Sequence, residues 1–351
     1  MPSILAAASL LVAFGTIAQS PSEATSAEAA ASAALGETAG GAASAASATL
    51  DPAAEENRSN SLLAPPPAGM KVASILAGGG GYQFKTDLSN GGSLALTRLA
   101  AGTQVRVAFT DQFSLGLNFG FRYDDYDWGG DVFPAVTPPS GGSLAPWGSI
   151  YTVGIGAIMN WQLDERWTLS AGPLFQFSGE SDVDAGDAFS GGGIVGAAYR
   201  FDDDLLVGGG VGVLTRIEDD PLVFPQIVLD WRINDRFRLT TQGGPTAVVR
   251  QGIELVYTPA KPLEFALGGR AEYLRFRLGG QDVAPDGIGE EQSYPLWLRA
   301  GWRPLPQLRV DVYAGVTIWS EFKLSDSSGG VLGKDTLDPA PFVAAYVSWT
   351  F

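Results

Sequence analysis

From residue 69 to the C-terminus the sequence alternates apolar and polar residues with a period of two. That pattern restricts the chain to antiparallel strands. In the stretch 113–123 one face collects Phe113, Leu115, Leu117, Phe119, Phe121 and Tyr123, and the other Ser114, Gly116, Asn118, Gly120 and Arg122. The stretch 151–163 sets Val153, Ile155, Ala157, Met159 and Trp161 against Thr152, Gly154, Gly156, Asn160 and Gln162. In 307–321, Leu308, Val310, Val312, Ala314, Val316 and Ile318 oppose Arg309, Asp311, Tyr313, Thr317 and Glu321. A soluble sandwich also has one apolar and one polar face, so alternation leaves two architectures open.

The strand ends decide between them. Tight connections occur at Thr110-Asp111-Gln112, Asp164-Glu165-Arg166, Asp202-Asp203-Asp204, Asn234-Asp235, Pro259-Ala260-Lys261 and Pro304-Leu305-Pro306. Beside them, on the apolar face, stand Phe109, Phe113, Trp161, Trp167, Phe201, Trp231, Phe237, Tyr257 and Trp302. In a soluble sheet these positions meet water and are polar; a ring of aromatics on one face is the interfacial girdle of a membrane barrel. The opposite connections, 127–147, 179–187, 279–291 and 325–338, are longer and more acidic, as external loops are. The expected fold is therefore all-β: a transmembrane antiparallel up-and-down barrel of about fourteen strands, with twelve as the alternative. The glycine-broken 71–85 and the pair meeting near Gly243-Gly244-Pro245 leave the count open. Within 263–278 the phase slips after Tyr273, which predicts a bulge or an extension above the bilayer.

Composition supports this reading. Hydrophobic residues make up 45% of the 351 and charged ones only 17%, yet no long apolar run follows the first residues, so spanning falls to strands. The apolar run 4–14 followed by Thr16-Ile17-Ala18 predicts a signal peptide over 1–18. Residues 19–68 turn to Ala, Ser, Gly and Glu and end in Pro65-Pro66-Pro67, a composition expected to form a disordered periplasmic tether, with a short helix at 26–35 as its functional variant. The barrel then occupies 69–351.

The final strand, 342–351, ends on Phe351 with Trp349 and Val347 at alternate positions before it. It resembles the C-terminal signal by which bacterial outer-membrane β-barrels are recognised for insertion. The resemblance covers residues 69–351, with its specific motif in the last strand, and joins the chain to the many such barrels of unknown function. It implies an outer-membrane location, contact with lipid and lipopolysaccharide, and dependence on the barrel-insertion machinery. It brings no substrate and leaves the oligomeric state open. Outer-membrane barrel enzymes of known kinds work with a catalytic histidine. This chain has neither histidine nor cysteine, so no enzyme and no cofactor are expected. A net charge of -16 argues against nucleic acid as a partner.

The candidate site is the lumen. Arg106, Arg122, Arg200, Arg232, Arg238, Arg270, Arg299, Arg303 and Arg309 share the polar face with Asp124, Asp230, Glu254, Glu264, Glu272 and Asp311. Facing inward, they either line a water-filled channel that favours small polar or anionic solutes, or pair and hold the lumen shut as in a structural or adhesive surface barrel. The inward set Gly192, Gly196, Gly208, Gly210 and Gly212 leaves room for a plug or solute, or reflects wall curvature. Asp182, Asp184 and Asp187 carry oxygen ligands at a spacing that suits calcium or magnesium, although the distal glutamate of an EF-hand loop is missing.

Overall fold

The computed structural model describes residues 72–130, 132–133, 145–242 and 250–351. The expected signal peptide, the tether with its helix at 26–35, and Gly243-Gly244-Pro245 lie outside them. The strands are β1 (Val72–Asp87), β2 (Ser93–Ala108), β3 (Phe113–Gly129), β4 (Ser149–Gln162), β5 (Trp167–Gly179) and β6 (Phe189–Arg200). They continue as β7 (Leu205–Arg216), β8 (Asp219–Arg232), β9 (Phe237–Gln242), β10 (Arg250–Ala260) and β11 (Leu263–Arg277). The last are β12 (Ile288–Trp302), β13 (Leu308–Ser325), β14 (Val331–Leu337) and β15 (Ala340–Thr350).

Each strand from β1 to β13 pairs antiparallel with the next, and β15 joins β13 to β1, so the sheet closes on itself. The fifteen strands make a fourteen-stave barrel among the described residues, because β14 and β15 run in series along one edge of β13. Thr317 faces Ala340 and Ser320 faces Leu337 in the same register, and only Asp338-Pro339 interrupts the stave. Proline has no N–H for the ladder, which is reason enough for the break. The stretch 325–338, expected as a loop, is thus mostly a hairpin arm. The glycine-broken 71–85 proves to be one continuous strand, its ladder to β2 shifting only between Gln83 and Thr86.

Four of the six tight turns share one device. The side-chain oxygens of Thr110, Asp164, Asp202 and Asn234 each accept the backbone N–H groups two and three residues ahead, at 2.7–3.2 Å. Such a side chain stands in for a backbone turn acceptor, which explains why these residue types recur there. Just outside the turns the aromatic girdle faces outward, with Phe109, Trp161, Phe201 and Trp302 more than half exposed. No water-soluble sheet presents such a ring, whereas a bilayer interface accommodates it. The inward and outward sets of 113–123, 151–163 and 307–317 fall as the alternation requires, Val153 excepted, which is buried although on the outward phase, and the polar side chains are buried in the lumen.

Candidate functional site

The outer mouth of the barrel is crossed by the end of the β11–β12 hairpin. Along β11 the even positions face inward throughout, while the odd face changes character: Phe265 and Leu267 are exposed, but Arg275 and Arg277 are buried. The register between β11 and β12 does not shift at Tyr273. The apparent slip of phase is therefore not a bulge; it marks the hairpin end at the mouth, where both faces are covered by protein. Its end reaches β5, on another part of the wall, where Arg277 pairs with Gly179 and Glu180 N–H donates to the Arg277 carbonyl at 3.1 Å.

The arginine face docks on loops. Arg275 Nε donates to the Ile217 carbonyl at 2.7 Å, and its Nη1 lies 2.7 Å from Glu290 and 3.4 Å from Asp219. Arg277 bonds the Asp187 and Asp286 carbonyls and pairs with Glu218 at 2.9 Å. At the tip, Glu180 accepts N–H bonds from Gly148 and Gly279, tying the end of the β3–β4 connection to the hairpin. Gly279 N–H also donates to Asp282, whose carboxyl is pushed up to about 8, first by burial and then by its proximity to Glu180.

The opposite face is apolar. Leu274, Phe276 and Leu278 pack with Leu94, Leu96, Tyr126, Trp147, Ile150, Phe322 and Leu324, together with the loop residues Val132 and Phe133. Phe276 and Leu278 retain no exposed surface, and Trp147 lies 5.3 Å from Phe276 and 5.1 Å from Trp128 between ring centroids. A water-filled mouth would leave these rings wet.

Beneath this cluster lies a lattice of charges linking β2 and β3 to β11 and β12. Arg98 reaches Glu272 at 3.0 Å and Glu291 at 3.2 Å while also pairing with Asp124. Arg122 pairs with Asp124 and stands 3.8 Å from Glu272 and 3.7 Å from Glu291. Arg270 pairs with Glu272, and Tyr126 donates to Glu291 at 2.6 Å. A second group lies along β10 to β13: Arg299 contacts Glu254 at 2.7 Å, Asp311 at 2.8 Å and Glu264 at 3.5 Å. Arg309 pairs with Glu264 at 2.9 Å and Asp311 at 2.8 Å. Smaller pairs are Arg238–Asp230 at 2.6 Å and Arg232–Asp204 at 3.6 Å.

The structure thus brings Arg122, Arg270 and Glu272 together, and separately Arg299, Arg309, Glu264 and Asp311. It leaves Arg200 near the turn-side rim with no ion pair among the described residues, and buries Arg106 on the wall of β2. Arg98, Glu291, Arg275 and Arg277 were missed by reading the sequence. Arg98 shares the phase of Arg106 and could have been found; Arg275 and Arg277 fall on the lipid-facing phase, and only the fold of the hairpin places them inside.

Of the small inward residues of β6 and β7, Gly212 is covered by a side chain. The ring of Phe224 lies over Gly212, and Ile158, Leu174, Ile194, Leu206, Leu214, Phe224 and Val228 form an apolar wall from β4 to β8. Asp182, Asp184 and Asp187 line an outer recess of about 410 Å³ with Glu218, Arg277 and Asp286. Among the described residues no three acidic side chains converge as ligands of one metal ion.

Residues 147–349 match a domain family of unknown function, DUF6268. Among solved structures, the chain is similar to an outer-membrane channel of Pseudomonas putida F1, at 11% identity and a TM-score of 0.43, covering 81% of this chain and 99% of that one. It is also similar to a FadL homologue of Pseudomonas aeruginosa, at 11% identity and a TM-score of 0.42 over 79% and 90% of the two chains. The toluene transporter TodX of P. putida gives 9%, a TM-score of 0.43, and coverage of 82% and 92%. No curated protein matches the sequence.

Proposed function

The chain belongs to the DUF6268 family, whose function is unknown, and from that premise we propose that it is an outer-membrane channel for small polar or anionic solutes, closed at rest by its β11–β12 hairpin. The observation that carries this reading is the hairpin end, buried on both faces across the mouth. It continues two wall strands beyond the level at which the barrel itself is already closed. Its β11 edge docks through polar contacts to loops, while its β12 arm stays laddered to β13, so opening moves the hairpin end and leaves the wall below Tyr273 and Gln292 intact. A fourteen-stave wall is wide enough for a lumen once such an element is withdrawn. Anions are favoured because the polar face read from the sequence carries nine arginines against six carboxylates. Val347, Trp349 and Phe351 point outward and are exposed, as a segment read by the insertion machinery would be. Secretion by the signal segment 1–18 and contact with lipopolysaccharide at the loops complete the reading.

The second reading, a structural or adhesive barrel shut for good, is favoured by the Arg98 bridges to Glu272 and Glu291. Planar-bilayer recording separates the two. Replacing residues 274–291 by Asn-Gly joins Tyr273 to Gln292, which face each other, through a two-residue turn. The expected outcome is a mostly silent native protein and a steadily conducting, anion-preferring variant. Silence from a folded variant favours the structural barrel, and steady current from the native protein contradicts closure at the mouth.

A further inference from the structure

On the turn side of the lumen, β2, β3 and β4 present a patch of hydrogen-bond donors. Gln104 faces Asn118, Arg106 faces Gly116, and Ser114 faces Asn160, all on the inward phase. Gln104, Ser114 and Asn160 are more than nine-tenths buried, yet Gln104 Nε2, Ser114 Oγ, Asn118 Nδ2 and Asn160 Nδ2 have no hydrogen-bond partner among the described residues. Asn160 Oδ1 is already occupied by Ser170 Oγ at 2.6 Å, which leaves its amide N–H groups for another acceptor. At the centre stands Gly116, where an added Cβ would meet among the described residues only the Ile158 carbonyl, at 3.8 Å. The result is a backbone-floored patch at Gly116, ringed by donors, with a guanidinium at its edge and no carboxylate at the positions paired with Arg106.

We propose that this patch binds the carboxylate group of a small organic anion. Buried amide donors without acceptors are satisfied by an acceptor brought from outside, and a planar two-oxygen acceptor of single charge matches one guanidinium with amides around it. A phosphate dianion would leave charge uncompensated there. Ile158 begins the apolar wall that continues through Leu174, so the carbon skeleton of the anion has a dry surface beside its head. The proposal rests on the channel reading for its role, as a station on the path, but not for its chemistry.

The test is thermal unfolding of the detergent-refolded protein in acetate or propionate against chloride and phosphate at equal ionic strength. Carboxylates are expected to raise the midpoint in a saturable way, with phosphate weaker. Gly116→Ala, whose methyl the wall accommodates, and Asn118→Asp, which replaces a donor by a like charge, are expected to weaken the apparent affinity about tenfold or more. No carboxylate shift in the native protein, an equal shift in both variants, or a larger shift with phosphate overturns it. Conductance of the hairpin-replaced variant is read separately. A carboxylate shift with no current leaves the site standing and removes the channel, whereas current with no shift does the reverse.

Discussion

Arg299 shows how much one residue does in this lumen. Its guanidinium is almost fully buried and bridges Glu254, which has no exposed surface, to Asp311, while Trp297 Nε1 donates to the same Glu254 at 2.6 Å. A buried pair is not automatically stabilising, but removing one partner strands the other charge. Arg299→Met is expected to destabilise the barrel by about 3–5 kcal/mol, and Glu254→Gln added to it should recover part of that. Urea unfolding of vesicle-folded protein measures both. The turn residues act on the same scale: an Asp, Asn or Thr oxygen placed to accept two N–H groups shapes four of the six turns locally, which is why those turns could be read without knowing their surroundings.

At the scale of the element, the β11–β12 hairpin is held by contacts of two kinds, and they respond differently to pH. The apolar face is indifferent; the tip, where Asp282 lies beside Glu180, is not. With its carboxyl raised to about 8, Asp282 holds a proton in the docked state that it lacks when solvated. Docking is therefore strongest in acid, weakens as pH rises from the ordinary carboxylate range near ~4 to about 8, and levels off above that. The chain has no cysteine, so Val283→Cys, placed in the buried cluster, gives a single reporter. Its labelling rate, corrected for thiolate fraction, should climb across that window and stay low and flat in an added Asp282→Asn background. A native rate that falls or stays level with pH would contradict the assignment.

For the whole molecule, stability depends on closure. β15 is the stave that joins the last hairpin to the first strand, and Phe351 ends it: its N–H donates to Ser74 O at 2.8 Å, and its carbonyl accepts from Ser74 N–H. Deleting Phe351 removes both bonds and an exposed aromatic ring. Slower assembly and a loss of about 1–3 kcal/mol are expected, checked by heat-modifiable electrophoretic migration and thermal unfolding. Survival at native rate and stability would mean that closure is complete by Thr350. The stave count was legible from the turns for the same reason, since each tight turn reverses the chain and an up-and-down barrel adds its strands in order. The interruption of the last stave at Asp338-Pro339 was not, because a proline there reads equally well as loop.

The sequence by itself determined most of the strands, their inward and outward faces, the turn side of the barrel and the aromatic girdle. These depend on neighbours one to three residues apart and on a solvent that differs across the wall. It also placed Arg122, Arg270, Arg299, Glu264, Glu272 and Asp311 on the lumenal face. Only the tertiary structure decided which of them meet, since Arg98 and Glu272 are far apart in the chain and their contact depends on how β2 and β11 stand within the closed wall. It alone showed that the hairpin end turns across the mouth. Alternation records which face of a strand meets protein and which meets lipid, and where both faces are covered by protein it records nothing.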